Sequence, residues 1–148
     1  MHPQGIGIAD GVSSWSAFNI RTDAFSSTLM EQSKWALVKF YENSNLNVNP
    51  QNGEGIENSN VIKICPWKIM DEGFSNTHHW GSSTCCIAVL NENKLDISNL
   101  GDSGFMSFEY KYEKGNYKVF LKEKSKPQQH SFNYPLQLVR LPNEETYK

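Results

Sequence analysis

The sequence predicts an α+β fold on three observations. Early in the chain, apolar residues recur at helical spacing: Phe25, Leu29, Ala36 and Phe40, with Met30, Leu37 and Tyr41 beside them. From Cys85 onward the period changes to two, in short runs separated by tight turns. Helical pattern first and consecutive strands later is the order of a segregated α+β fold rather than of a βαβ repeat. The 148 residues are one domain's length, and 38% hydrophobic residues suffice for a core.

Gly5-Ile6-Gly7-Ile8-Ala9 alternates small and branched residues. It reads as a short buried strand running directly into Asp10-Gly11. Thr22 or Asp23 supplies a helix start, and the apolar stripe predicts an amphipathic helix from Ala24 to Tyr41. Residues 43–60 hold seven asparagines, one proline and two glycines. With few apolar groups, that stretch buries no face and reads as a flexible surface loop. Pro66 to Glu72 predicts a second helix, with proline tolerated in its first turn. Cys85 to Leu90 is apolar on both faces, which suits a central strand covered on both sides. Strands follow at Lys94 to Leu100, Phe105 to Tyr112 and Tyr117 to Lys122, joined by Asn91-Glu92-Asn93, Gly101-Asp102-Ser103-Gly104 and Lys114-Gly115-Asn116. Short turns between consecutive strands predict an antiparallel meander. No internal repeat is present.

Composition excludes several classes. Lys+Arg is 14 against Asp+Glu 16, a net charge of −2, so a protein living on phosphate contacts to nucleic acid is not expected. No apolar run approaches the roughly 20 residues of a membrane span. The N-terminal residues carry no charged-then-apolar secretory pattern. The three cysteines, Cys65, Cys85 and Cys86, form neither a disulfide framework nor a Cys-x-x-Cys pair, and no Asn-x-Ser/Thr sequon occurs. These features point to a reducing intracellular compartment.

Two acids stand where a strand meets a glycine turn. Asp10-Gly11 offers a carboxylate and an unshielded carbonyl, the hard oxygens preferred by Mg²⁺ and Mn²⁺. Asp102 sits between Gly101 and Ser103-Gly104, a turn able to deliver a second carboxylate. Read alone, each segment also fits an ordinary turn with a solvated acid.

Together the segments resemble the metal-dependent serine/threonine protein phosphatases of type 2C, and more closely an organelle-associated branch of them. The likeness is carried by Asp10-Gly11-Val12-Ser13-Ser14-Trp15, by Phe25 to Met30, by Gly81-Ser82-Ser83-Thr84-Cys85-Cys86, by Asn99 to Phe105, and by Gln128 to Leu138. Five motifs in the family's order run from Gly5 to Leu138.

The resemblance implies an αββα sandwich of antiparallel sheets flanked by helices, here in part. It implies two Mn²⁺ or Mg²⁺ ions activating a water for hydrolysis of phosphoserine and phosphothreonine in proteins, with a weaker third metal position. By the resemblance, Asp10 bridges the metal pair as the catalytic ligand, the Gly11 carbonyl joins it, and Asp102 serves the third position. The phosphoprotein is then the partner, and the branch implies a mitochondrial or other organellar location. Residues 1–148 would be roughly the N-terminal half of a catalytic domain, because the family's acid ahead of the first strand and its later Asp-Gly and Asp-Asp segments have no counterpart here. On that count the chain alone is expected to be inactive. An inactive, phosphatase-like interaction scaffold is the alternative.

The remaining reactive residues read more plainly. His78-His79 reads as a loop pair, since adjacent histidines rarely face one ion. Cys85 and Cys86 alternate across a strand as small buried hydrophobes. Ser82, Ser83 and Thr84 read as a strand-opening turn. His130 reads as packing, with a role in a substrate channel left open.

Overall fold

The computed structural model describes residues 4–46 and 63–142. The helical stripe forms α1, Thr22–Leu46. It buries Phe25, Leu29, Ser33, Ala36 and Leu37, spaced three or four apart as one helix face requires. The helix begins two residues before the expected Ala24 and ends five beyond Tyr41. Asp23 lies in its first turn, where the positive end of the helix dipole favours a carboxylate. Residues 43–46 continue the helix, so the loop expected from residue 43 does not start there. Each polar residue added to an existing helix costs only about a few tenths of a kcal/mol. The rest of the expected loop, 47–60, lies outside the described residues.

The second helix, α2, spans Pro66–Ser75, three residues longer than expected, with proline in its first turn. It buries Ile69, Met70 and Gly73. The helices cross where Ser33 meets Gly73, which leaves no room for a side chain on residue 73. Lys39 Nζ reaches Glu72 Oε1 at 2.6 Å across the same pair.

The strands are β1 (Gly5–Ile8), β2 (Gly81–Ser83), β3 (Cys85–Asn91), β4 (Lys94–Leu100), β5 (Met106–Glu113), β6 (Asn116–Lys124), β7 (Gln129–Ser131), β8 (Tyr134–Pro135) and β9 (Leu138–Arg140). The central sheet has the order β1-β3-β4, antiparallel throughout. β2 pairs with β9, β5 with β6, and β7 with β8. Where an unbroken meander was expected, the chain leaves the sheet after β4 and builds a separate β5–β6 ribbon. At that break the Gly101 and Phe105 backbones bond to Gln128 and Ser125 rather than to a neighbouring strand.

Register assigns the two faces of the central sheet. Cys85, Ile87 and Val89 face the helices and join Phe25, Leu29, Leu37, Ile64, Ile69 and Met70 in the core. Ile6, Ile8, Cys86, Ala88, Leu90 and Leu95 share the opposite face. There Ile6 is 64% and Ile8 54% exposed, so β1 is not the buried strand expected: it is an edge strand covered by helices on one side only. β3 is central as expected and its residues Cys85 to Val89 are buried, but the expected cover on both sides is not seen among the described residues: Leu90 is exposed, and helices pack on one face only. Among the described residues, no helix is long and apolar enough to cross a membrane.

Candidate functional site

Strand direction decides where the two acids meet. β1 and β4 both run antiparallel to β3, so their C-terminal ends flank the N-terminal end of β3. Asp10-Gly11 leaves β1 there and Gly101-Asp102 leaves β4 there. The three site residues read from the sequence therefore share one rim, with the central strand between the two exits. Two strand spacings are about 10 Å.

Thr84, the residue before β3, ties the two exits together. Its amide donates to the Asp10 carbonyl at 3.0 Å. Its Oγ1 lies 2.6 Å from Ser103 Oγ, beside Asp102. Ser83 Oγ lies 2.9 Å from the Asp10 carbonyl oxygen and 2.7 Å from that of Thr84, its one proton serving either, and Gly11 bridges Ser83 across the backbone. The Val12 amide donates to the Ser82 carbonyl at 3.0 Å, and Trp15 Nε1 donates to Ser82 Oγ at 2.8 Å. Ser82, Ser83 and Thr84 are all buried. The expected turn is instead a strand: Ser82 and Ser83 lie in β2, paired with Val139 and Leu138 of β9, and with Thr84 they hold the Asp-Gly loop on one side and the Asp102 turn on the other. The sequence contained this signal in the unbroken run of small hydroxyl residues before β3, which the turn reading did not use.

Gly11 has a steric reason. A Cβ there would stand 2.5 Å from the Thr22 carbonyl oxygen and 2.9 Å from Ser26 Oγ, so the loop rests against the start of α1 only without a side chain. Asp10 and Asp102 are both exposed. Carboxylate and carbonyl oxygens are the donors Mg²⁺ and Mn²⁺ prefer, so the donor type fits such an ion. The number is short of a closed site: among the described residues, no three His, Cys, Asp or Glu side chains gather closely enough to hold a metal.

His78 and His79 are exposed, in an open groove of about 470 Å³ shared with Phe18, Arg21 and Trp80. His130 packs its ring against Tyr134, 5.1 Å between centroids, while its neighbours Gln128 and Gln129 contact the Asp102 turn. The motif's glutamines, missed in the sequence, thus reach the site where its histidine does not. Cys85 faces the helices and Cys86 the opposite side, as expected from alternation. Burial, with the neighbouring Cys86 adding to it, pushes the Cys85 thiol up to about 12, and burial raises Cys86 as well. Neither is a nucleophile at neutral pH.

No protein-family model matches the chain. Curated relatives do. Probable protein phosphatase 2C 80 of Arabidopsis thaliana is 33% identical over 135 residues, which are 91% of this chain and 26% of that protein. The protein phosphatase PTC7 homolog of Homo sapiens is 35% identical over 141 residues, 94% of this chain and 39% of that protein. Among solved structures, the photosystem II phosphatase PBCP superposes with a TM-score of 0.63 at 26% identity, covering 91% of this chain and 43% of that one. The chain thus spans between about a quarter and two-fifths of the length of these relatives. In sequence and in fold it is similar to a part of the type 2C protein phosphatases.

Proposed function

We propose that the protein carrying this chain hydrolyses phosphoserine and phosphothreonine esters of proteins with the help of Mn²⁺ or Mg²⁺. The observation that carries this reading is the convergence of Asp10-Gly11 and Asp102 on one rim, joined through Thr84. Asp10 and the Gly11 carbonyl would hold the principal metal pair, and Asp102 a weaker third position. The chemistry such ions supply is activation of a water for in-line attack on phosphorus and neutralisation of the phosphoryl oxygens. This chain's own residues hold and orient. Ser83 and Thr84 fix the Asp10 carbonyl, so its backbone cannot swing while the carboxylate stays at the exposed end of β1. Trp15 and Ser82 pin the segment after Gly11. An organellar compartment is part of the same reading, supported by the likeness to the photosystem II phosphatase.

The test has two arms. In the protein that carries this chain, Asp10→Asn should lower Mn²⁺-dependent phosphate release from a phosphopeptide by at least about 100-fold. Unchanged turnover and Mn²⁺ affinity would remove Asp10 from the site. The 148-residue chain alone should release no phosphate in Mn²⁺, since two carboxylates and a carbonyl are too few oxygens for a pair of six-coordinate ions. EDTA-sensitive multiple turnover by the isolated chain would refute that count. A phosphopeptide bound but never hydrolysed by the complete protein would favour the interaction scaffold, for which the short ligand set is the supporting observation.

A further inference from the structure

The Asp102 turn is held from below by two consecutive glutamines. Gln128 makes a two-way clamp on Gly101: its Oε1 accepts from the Gly101 amide at 3.2 Å, and its own amide donates to the Gly101 carbonyl at 2.9 Å. The Gln128 carbonyl in turn accepts from the Leu136 amide at 2.9 Å, which fastens the clamp to the chain beyond β8. Gln129 then reaches the side chain that the clamp presents: its Nε2 lies 3.2 Å from Asp102 Oδ2. The amide orientations follow from their partners. A backbone N–H can only donate, so Gln128 turns its oxygen to Gly101, and an ionised carboxylate can only accept, so Gln129 turns its nitrogen to Asp102.

We infer that Gln129 is a positioning residue for Asp102. It engages one carboxylate oxygen and leaves Oδ1 free for a divalent cation, while Gln128 sets the backbone from which that carboxylate projects. This inference rests on the metal reading proposed above. The choice of glutamine has a physical reason. A lysine or arginine at position 129 would bring a positive charge and compete with the cation. An amide orients the carboxylate and leaves its full negative charge for the metal. Partners of this kind typically contribute about 10–100-fold to metal affinity. A 3.2 Å contact on an exposed surface belongs at or below the lower end of that range. His130 has a different place: its ring packs at a tilt against Tyr134 across the short β7–β8 hairpin on which Gln129 is mounted.

The experiment uses the isotopically labelled complete protein that carries this chain, with no metal, then with added Mn²⁺. Three-bond couplings to Asp102 Cγ should report one χ1 rotamer in the wild type. They should report averaging in Gln129→Leu and in Gln129→Glu, which keeps the length and removes the donor. Mn²⁺-induced broadening of the Gly101 and Asp102 amide signals should then need roughly 3–10 times more Mn²⁺ in Gln129→Leu; Gln129→Glu adds a carboxylate of its own and is read by the rotamer alone. The side chain is exposed, so thermal stability should move little. Asp102 remaining in one rotamer in both variants would overturn the positioning role, as would unchanged Mn²⁺ broadening in Gln129→Leu alongside a lost rotamer. Asp102→Asn serves as the separate control. If Mn²⁺ broadening survives that substitution, the metal assignment of Asp102 fails, and the rotamer result still decides whether Gln129 orients the side chain.

Discussion

Gly101→Ala strikes the rim where backbone and packing demands coincide. Residue 101 has φ +95°, well outside the conformations an L side chain prefers, and such a position costs about 1–3 kcal/mol. The new Cβ would stand 2.6 Å from the Leu136 carbonyl oxygen and 2.6 Å from Thr84 Cγ2. One obstacle is backbone and the other is a buried side chain engaged with Ser103, so neither swings aside freely. Relieving such an overlap costs about 1–3 kcal/mol more. Together these give a loss of about 2–6 kcal/mol, and a fall in Tm on the order of 10 °C for a chain of this size. Gly115→Ala isolates the first contribution: Gly115 has φ +85°, but a Cβ there meets nothing within 4 Å, so it should lose only about 1–2 kcal/mol. Urea unfolding followed by tryptophan fluorescence, with linear extrapolation, measures both. If Gly101→Ala costs no more than Gly115→Ala, the close packing of the turn against Thr84 and Leu136 is not what holds it.

Two further outcomes follow from packing and burial. Gly73→Ala should destabilise by about 1–2 kcal/mol even though alanine favours helices, because its Cβ would stand 3.0 Å from the Ser33 backbone nitrogen and 3.1 Å from its Cα; a rise in Tm would show that the helix crossing can open at little cost. Cys65, the exposed thiol, should react quickly with a thiol reagent in the native chain, while Cys85 reacts only on unfolding; equal rates would contradict its burial. The same thiol sets a pH dependence. Its folded value of about 12 lies above the ordinary 9.0, so its contribution to stability is complete below pH 9 and declines between pH 9 and 12, by at most about 1.4 kcal/mol per pH unit. Replacing Cys85 by alanine should flatten that part of the stability curve.

Much of the fold was legible because local rules and tertiary structure agree. The stripe from Phe25 to Phe40 had one solution, a helix face, and the run from Cys85 to Leu90 had the length and composition of a central strand. What failed depended on partners that no local pattern records. Ile6 and Ile8 read as buried because branched residues alternate with glycines, yet alternation does not say whether both faces of an edge strand are covered. The meander failed at Gly101 because the turn's hydrogen bonds are met from residues 125 and 128, far ahead in sequence. The site shows the same division. Asp10, Gly11 and Asp102 were legible as acids and glycines at strand ends. Thr84, Gln128 and Gln129 were not, since their roles exist only once β3 and the β7–β8 hairpin are in place.

Among the described residues, the short ligand set and the uncovered sheet face are aspects of one arrangement. Ile8, on that face, precedes Asp10 by two residues, and Asn99, on the same face opposite Cys86, precedes Asp102 by three. The uncovered surface therefore runs up to the rim that carries both carboxylates. It holds exposed Ile6, Ile8, Leu90 and Leu95, together with a polar orphan: Asn99 Oδ1 is buried without a hydrogen-bond partner among the described residues. The β5–β6 ribbon repeats the pattern, with Phe108, Tyr110, Tyr112, Tyr117, Val119 and Leu121 on one face and all exposed. Among the described residues, apolar surface of this extent is what a packing partner would cover. A layer laid on the central sheet would bury the isoleucines and leucines, at about 25 cal/mol per Å² of apolar area, and could offer Asn99 a donor. Its end would stand over the rim, between Asp10 and Asp102, where, on the metal reading proposed above, further carboxylates would be needed to hold an ion. Covering the core and completing the ligand set would then be a single packing event, and metal affinity would rise and fall with the stability of that layer.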